Sequence, residues 1–288
     1  MFTLLATGLG IFCVGLADDV WTLPAPIKLA AQMLALLPLT GSGLRFHSLD
    51  GLALPALFPG AIPTLAALAW ILFFLNAYNF MDGMDGFAAR FALNVCLWLF
   101  PMVLLKAVIM GNVLDLRLEF LLVPIAGAAC SAFYLVNRPP AGVFMGDGGS
   151  LTLGYFLALQ SILADGGYYV SQYRTPQSGE AVPAMSVFIL LWPFVFDVLL
   201  TVVRRARRGA NLFAAHREHL YQRLMIAGMS HQQVLSLNIR YFRICGAMAL
   251  LYALAPISIL RGAAAVAAVA AMAHYWRGVL LSERSAKA

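Results

Sequence analysis

Long apolar runs recur along this chain, and most are about 17 to 22 residues long, the length of a helix that crosses a bilayer. The chain is 62% hydrophobic and 11% charged, and its mean hydropathy is +0.83. This composition excludes a disordered chain and an ordinary soluble domain. We therefore predict an all-α fold: a polytopic bundle of about nine transmembrane helices in one membrane-embedded domain, residues 1–288. The candidate spans are 2–17, 26–40, 60–78, 87–108, 119–136, 150–165, 184–203, 237–258 and 262–281.

The charged residues predict how these spans are oriented. If successive spans alternate direction, the segments 18–25, 79–86, 137–149 and 204–236 fall on one side of the membrane. Most Lys and Arg residues lie on that side, so the positive-inside rule makes it the cytoplasm, with 204–236 as a cytoplasmic loop. The net charge of +6 then reflects orientation, and we expect no nucleic-acid partner. The opposite loops, 41–59 and 166–183, are interpreted as structural, and the four cysteines as small core residues because they lack CxxC or zinc spacing.

One polar motif ends an apolar run. Asn76, Asn79, Asp82 and Asp85 recur at every third position, which keeps their side chains near one face of a helix. The glycines that follow both aspartates let the backbone approach a ligand closely. A solvated helix end with a glycine cap is the structural alternative.

Two further acidic motifs lie on the same side. Asp18 and Asp19 are adjacent at a membrane edge, where they repel one another unless a cation or basic group offsets them; a simple helix stop is the alternative. In the segment 137–150, a proline-stiffened approach leads to Asp147 between glycines. Asp147 could hold Mg²⁺, and free backbone N–H groups at the helix start could hold a phosphate.

The basic segment that follows the seventh span suits phosphate. His216, Arg217, His219 and Arg223 fall within one or two helical turns, and zinc would lack a third ligand at suitable spacing. Asp197 lies inside the preceding span, where a functional carboxylate and a partner for Arg204 are equally good interpretations. The remaining histidines, His47, His231 and His274, are interpreted as structural.

Hard oxygen ligands, glycine-rich loops and clustered Arg and His predict Mg²⁺-dependent handling of a phosphorylated substrate. The position at the bilayer edge suggests that one substrate is a lipid. A phosphate monoester is largely ionised at neutral pH, so a strong general base is unnecessary.

Taken together, the motifs resemble those of the MraY/WecA superfamily of polyprenyl-phosphate N-acetylhexosamine-1-phosphate transferases, also called glycosyltransferase family 4. The similarity covers roughly residues 10–225 and rests on four motifs in the family order, 18–28, 76–90, 137–150 and 193–223. It implies transfer of a sugar-1-phosphate from a UDP-N-acetylated sugar to undecaprenyl or another polyprenyl phosphate, with release of UMP. It also implies a multi-pass protein of the bacterial inner membrane whose site faces the cytoplasm, and it leaves a homodimer open.

The resemblance assigns roles by position. Asp147 would bind Mg²⁺, with Mn²⁺ as the alternative ion, and Asp18 or Asp19 would face the lipid phosphate or assist the metal. The nucleotide and the region of the metal would be held by Lys28, Asn76, Asn79, Asp82 and Asp85, with Phe144 stacked on uracil. His216 and His219, as catalytic residues, would contact phosphates together with Arg217 and Arg223.

Two departures refine this expectation. Where the muramoyl-pentapeptide branch has three consecutive histidines, this chain has His-Arg-Glu-His at 216–219, which favours the WecA/WbpL-like branch that begins O-antigen or another surface polysaccharide. Phospho-MurNAc-pentapeptide transfer in peptidoglycan synthesis is the alternative. Family members also carry two more spans before the Asp-Asp motif, so we expect this chain to lack part of the family fold.

Two other classes compete. The run from Asp82 to Arg90 matches the first half of a CDP-alcohol phosphatidyltransferase signature, but Leu99, Val103 and Ala107 stand where the signature requires Gly, Asp and Asp. An ion-coupled transporter would also use membrane carboxylates, yet it would be expected to show paired motifs in two repeated halves.

Overall fold

The computed structural model describes residues 2–46, 48–49, 52–53, 58, 60–109, 118–164, 182–212, 214 and 216–286. Within them the chain forms ten α-helices, and the all-α prediction is confirmed. They are α1 (Phe2–Trp21), α2 (Ala25–Leu36), α3 (Ile62–Met81), α4 (Phe87–Ile109), α5 (Leu118–Asn137), α6 (Gly146–Ala164), α7 (Ala184–Arg207), α8 (Leu220–Ile226), α9 (His231–Leu254) and α10 (Ser258–Ser285). A 3₁₀ helix, Leu37–Gly41, extends α2. Two short antiparallel strands, β1 (Ser48–Leu49) and β2 (Leu52–Ala53), form a hairpin.

Among the described residues, six helices are long and apolar enough to cross a membrane: α1, α3, the Phe87–Leu105 part of α4, α7, α9 and α10. Shorter apolar helices cover Ala25–Gly41 and Leu122–Asn137. Residues 204–236, which were predicted as a cytoplasmic loop, include the end of α7, the short helix α8 and the start of α9. The helix α9 begins at His231, six residues before the predicted span 237–258, and a capping box explains this start. The Ser230 hydroxyl accepts a hydrogen bond from the Gln233 N–H, and the Gln233 side chain accepts one from the Ser230 N–H.

The helix α6 is packed between α1 and α3, and glycines make the close approaches possible. A Cβ at Gly15 of α1 would lie 2.4 Å from the carbonyl oxygen of Asp147, and a Cβ at Gly154 would lie 2.7 Å from Cα of Leu75. Small residues of this kind let membrane helices approach backbone to backbone. As a result, the C-terminal ends of α1 and α3 meet the N-terminal end of α6.

An aromatic cluster joins the second half of the bundle. Phe91 of α4 stacks on Phe194 of α7 with a ring-centroid distance of 3.7 Å, and Phe87 stacks on Tyr221 of α8 at 4.6 Å. These rings are fully buried, and aromatic packing of this kind fixes the angle between elements. The short helix α8 is therefore held against the start of α4, next to the turn that carries Asp82 and Asp85.

Three of the four cysteines, Cys96, Cys130 and Cys245, are buried, and Cys13 is exposed on α1; all four are free thiols. His47 and most of the predicted loop 166–183 lie outside the described residues.

Candidate active site

Four helices bring polar side chains together around the ammonium group of Lys28. Lys28 Nζ lies 3.1 Å from Asp18 Oδ2 and 3.4 Å from Asn79 Oδ1, and it also contacts Asp147 Oδ2. Asn79 Nδ2 donates to Asp147 Oδ1 at 2.9 Å and to the Ser150 hydroxyl at 2.8 Å. The predicted residues Asp18, Lys28, Asn79 and Asp147, which come from α1, α2, α3 and α6, therefore form one cluster.

The two adjacent aspartates have different partners. Asp18 faces Lys28, and its other oxygen accepts the Leu23 N–H at 2.7 Å. Asp19 faces α6 and accepts the backbone N–H groups of Asp147 at 2.7 Å and Gly148 at 2.9 Å. A carboxylate at this position satisfies free amides at the start of a helix and interacts favourably with its dipole. The sequence predicted that free backbone N–H groups at this helix start could hold a phosphate. In this structure those of Asp147 and Gly148 donate to Asp19.

Asn76 lies one turn before Asn79 and bonds to a residue that the sequence analysis did not single out. Its amide forms a reciprocal pair with fully buried Gln32, with N–O distances of 2.7 and 3.2 Å. Gln32 follows Lys28 by four positions on α2, so both side chains lie on one helix face. The four-residue spacing from Lys28 was the sequence signal that could have identified Gln32. The pair of Gln32 and Asn76 fixes α2 against α3 beside the cluster.

A cleft of about 370 Å³ opens next to this cluster. Its lining includes the predicted residues Asn79, Asp82, Asp85, Phe144 and Asp147, together with Gly83, Met84, Asn137, Met145, Gly146 and His231. Phe144 is 76% exposed, so its side chain is accessible to a ligand. His231, which the sequence analysis interpreted as structural, lines this cleft from the first turn of α9.

Hydrogen bonds between two loops hold one wall of the cleft. Asp85 Oδ2 accepts the Ala141 N–H at 3.0 Å, and Asn137 Oδ1 accepts the Gly86 N–H at 3.0 Å. Asp85 therefore has a positioning contact in addition to its place in the cleft lining.

Two carboxyl groups of the cleft, those of Asp82 and Asp147, have raised pKa values. Burial raises the pKa of Asp82 to about 7, and the nearby charge of Asp147 adds to the shift. Burial and the neighbouring Asp18 likewise raise the pKa of Asp147, although hydrogen bonds from Lys28 and Asn79 oppose them. Both shifts report carboxylates that a further cation would stabilise.

The histidine segment is anchored by Asp197 rather than by an arginine. His219 is 3% exposed, and its Nδ1 lies 3.0 Å from Asp197 Oδ1. The Leu220 N–H donates to both Asp197 oxygens, at 3.0 and 2.9 Å, and the Thr201 hydroxyl lies 3.2 Å from Oδ1. Of the two interpretations left open for Asp197, an ion pair with Arg204 is thus replaced by a pair with His219.

The other residues of this segment differ in exposure. The His216 ring lies 5.1 Å from that of His219, and partial burial, followed by the charges of His219 and Arg205, lowers the pKa of His216. Arg217 is exposed. Arg223 is buried and makes a bidentate pair with Glu283 of α10, with Nε 2.5 Å from Oε1. The guanidinium that was predicted to contact phosphate therefore links α8 to the last helix here.

Glu218 joins the same segment to the end of α7. Its carboxylate accepts hydrogen bonds from Arg205, at 2.6 Å, and from Arg208. Although partial burial raises the pKa of Glu218, the two arginines outweigh it and lower that pKa below its ordinary value of 4.5.

The donor set around Lys28 agrees in chemistry with a hard cation. Two carboxylates and one amide oxygen converge on a single positive group, and Mg²⁺ prefers oxygen ligands of these types. No cluster of three or more His, Cys, Asp or Glu suited to a metal occurs in the described part of the chain. Any metal here would therefore use few protein ligands, and substrate phosphates and water would complete its coordination.

Comparison with known proteins places these residues in a family. The model of glycosyl transferase family 4 matches residues 1–165. The chain is 36% identical over 251 residues to decaprenyl-phosphate N-acetylglucosaminephosphotransferase of Mycobacterium tuberculosis, covering 81% of this chain and 59% of that protein. It is 30% identical over 229 residues to the probable undecaprenyl-phosphate N-acetylglucosaminyl 1-phosphate transferase of Bacillus subtilis, covering 77% of this chain and 57% of that protein.

A shorter match is to a relative that is named for a different transfer reaction. Phospho-N-acetylmuramoyl-pentapeptide-transferase of Streptococcus pyogenes is 34% identical over 148 residues, which cover 49% of this chain and 40% of that protein. The chain spans less than two thirds of the length of each of these relatives. The family model and the long matches agree with the apolar helices and the polar cleft: this integral membrane protein belongs to glycosyl transferase family 4.

Proposed function

We propose that this protein transfers an N-acetylhexosamine-1-phosphate, or a related N-acetylated sugar-1-phosphate, from its UDP-sugar to polyprenyl phosphate and releases UMP. The observation that carries the proposal is the convergence of Asp18, Lys28, Asn79 and Asp147 at the ends of apolar helices, beside an open polar cleft. The relatives named above support it, since two of them are named for N-acetylglucosamine phosphate transfer to a polyprenyl phosphate.

The transfer forms one phosphorus–oxygen bond and breaks another. An oxygen of the ionised lipid phosphate attacks the sugar-bearing phosphorus of the UDP-sugar, and the bond between that phosphorus and the UMP oxygen breaks. The attacking oxygen already carries negative charge, so positioning and charge neutralisation are the main tasks of the protein. Asp18 and Lys28, at the bilayer edge of the cluster, would orient the lipid phosphate.

Asp147, with Asn79 and Asp18 beside it, would hold Mg²⁺ or Mn²⁺. When bound, such an ion neutralises charge on the diphosphate and on the departing UMP. Asp19 supports this site indirectly, because its carboxylate fixes the first turn of α6, which carries Asp147.

The rest of the cleft would bind the nucleotide. The exposed ring of Phe144 would stack on uracil, and Asp82 and Asp85 would line the pocket for the ribose and diphosphate. His216, His219 and Arg217 would meet phosphate oxygens. We place this cleft on the cytoplasmic side of a bacterial inner membrane, because the arginines at the end of α7 lie on the same side.

Within this function we favour a surface polysaccharide pathway such as O-antigen synthesis. Two features support it: His-Arg-Glu-His at residues 216–219, and the longer matches to the N-acetylglucosamine enzymes than to the muramoyl-pentapeptide enzyme.

The test uses the complete gene product, purified and reconstituted with undecaprenyl phosphate and a panel of UDP-sugars. We expect lipid-linked sugar phosphate and UMP in equal amounts with Mg²⁺ or Mn²⁺, and neither product with EDTA. Asp147→Asn should lose nearly all turnover. Ser131→Ala on α5 is the matched control, because its hydroxyl donates to the Gly127 carbonyl of its own helix.

Two results would count against the proposal. Near-normal turnover of Asp147→Asn would show that the metal assignment is wrong. UMP released without a lipid acceptor would indicate a hydrolase instead of a transferase.

A further inference from the structure

The carboxylate of Asp197 is buried in α7 and is 2% exposed. Three donors meet it: His219 Nδ1, the Leu220 N–H and the Thr201 hydroxyl, all within 3.2 Å. A buried carboxylate costs free energy unless it is fully bonded. This one is bonded chiefly by the residues where α8 begins.

The geometry determines which ring nitrogen of His219 carries a proton. A carboxylate can only accept hydrogen bonds, so Nδ1, at 3.0 Å from Asp197 Oδ1, must be the donor. The other nitrogen, Nε2, is then the one that can contact a ligand. In such an arrangement the carboxylate sets the orientation of a functional imidazole.

The same carboxylate also fixes the backbone on which the ring is carried. The Leu220 N–H donates to both Asp197 oxygens, and the His219 N–H donates to Gln222 Oε1 at 3.2 Å. On the other side, Tyr221 is stacked on Phe87. Ring and backbone of His219 are therefore held from two sides, with little freedom left to the imidazole.

We propose that Asp197 is a positioning residue: it accepts the Nδ1–H hydrogen bond of His219 and orients the ring so that Nε2, with the second proton of an imidazolium, donates to a phosphate oxygen of the nucleotide substrate. This inference rests on the proposed function, in which His219 contacts phosphate. When both nitrogens are protonated, the negative charge of Asp197 offsets the positive charge of the ring. The structural alternative is that Asp197 only caps α8, a role that would be independent of the His219 side chain.

A double-mutant cycle separates these two roles. Asp197→Asn keeps the shape of the side chain but removes its charge, and His219→Gln removes the imidazole. If Asp197 acts through His219, Asp197→Asn lowers turnover about 10-fold or more in the native background and changes it less than about twofold in His219→Gln. Effects that multiply would show a capping role and overturn the proposal.

Controls keep loss of folding apart from loss of function. Ser186→Ala removes a buried hydroxyl at the other end of the same helix, where its hydrogen bond goes to the Pro183 carbonyl, so it matches the disturbance of α7 without touching His219. Thermal denaturation of all variants in one detergent shows which are folded. The same cycle is also run on the dissociation constant for UMP, which needs no turnover.

A spectroscopic measurement tests the pairing without any activity. In protein labelled with ¹⁵N-histidine, the His219 signals are assigned by their loss in His219→Gln. They should show a protonated Nδ1 in the native protein, and in Asp197→Asn the proton should no longer be fixed on Nδ1. An unprotonated Nδ1 in the native protein would overturn the inference. A protonated Nδ1 and a coupled UMP-binding cycle in a protein that transfers no sugar phosphate would refute the proposed function and leave this inference standing.

Discussion

The crossing of α1 and α6 at Gly15 offers the sharpest test of how packing controls the site. An alanine Cβ at this position would lie 2.4 Å from the Asp147 carbonyl oxygen, 2.5 Å from its carbonyl carbon and 2.6 Å from Gly148 Cα. These are backbone atoms in the first turn of α6, so no side-chain rotation relieves the clash. Gly15→Ala must therefore move one helix relative to the other.

The size of that movement follows from the distances. Ordinary contacts of a Cβ begin at 3.4 Å, so the helices must separate by about 1 Å at this point. Overpacking of this kind costs about 1–3 kcal/mol of stability, and the better helix propensity of alanine offsets about 1 kcal/mol of it. Asp18 and Asp19 lie within four positions on the same helix and bond to Lys28 and to α6. A displacement of 1 Å at such a site lowers turnover by about 100-fold.

The assay compares turnover and thermal denaturation of Gly15→Ala with those of Gly10→Ala. Gly10 is on the same helix, and a Cβ there would meet only the Ala35 methyl at 3.5 Å, so this control should keep native activity and stability. We expect Gly15→Ala to lose far more activity than stability. Turnover of Gly15→Ala within twofold of the native protein would refute the argument that this crossing sets the geometry of the cluster.

Two further predictions use the carboxyl groups whose pKa values are shifted. The pKa of Asp82 is raised from 3.8 to about 7, so the folded protein binds this proton more tightly than the unfolded chain, and its contribution to stability is present below about pH 4 and is lost as pH rises to about 7. Asp82→Asn should therefore raise the melting temperature, and the increase should grow between pH 4 and pH 7. The corresponding gain in the free energy of unfolding is at most about 4 kcal/mol, and a gain that does not depend on pH would contradict this. The pKa of Glu218 is lowered below 4.5, so its contribution is present above that pH and is lost as pH falls through the folded value. Glu218→Gln should destabilise the protein at pH 7 by a few tenths to 1 kcal/mol, and thermal denaturation at pH 3.5 should show a smaller difference.

The sequence predicted that the polar motifs lie on one side of the bundle, and in the structure Asp18, Lys28 and Asp147 meet. It left the roles of adjacent residues open. Asp18 and Asp19 are neighbours on one helix, where successive side chains point about 100° apart. One can face Lys28 only if the other faces elsewhere, and here Asp19 faces α6. Which one does so depends on the rotation of α1, and that rotation is set by packing at Gly15 rather than by local sequence.

Local sequence motifs also could not predict which residues pair over long distances along the chain. Arg223 pairs with Glu283, sixty positions later, and no local pattern joins them. The start of α9 was readable, since Ser230 and Gln233 have the spacing of a capping box. That signal would have placed His231 at a helix start, but only the packing of α9 brings it to the cleft.

The distribution of charge around the cleft suits the proposed metal-dependent transfer to a lipid. Near the Lys28 cluster, burial raises the pKa values of Asp82 and Asp147, and a neighbouring carboxyl group adds to each shift, Asp147 for Asp82 and Asp18 for Asp147. This wall therefore favours an added cation. Across the turn at Gly83, which Tyr221 packs against so closely that a Cβ would lie 2.4 Å from its hydroxyl, the chain instead carries histidines and arginines. A diphosphate bound to a divalent ion needs both kinds of surface at once, one for the ion and one for the remaining phosphate charge. A Cβ at Gly83 would meet the Tyr221 hydroxyl, so the close contact between the two walls depends on the absence of a side chain at this position.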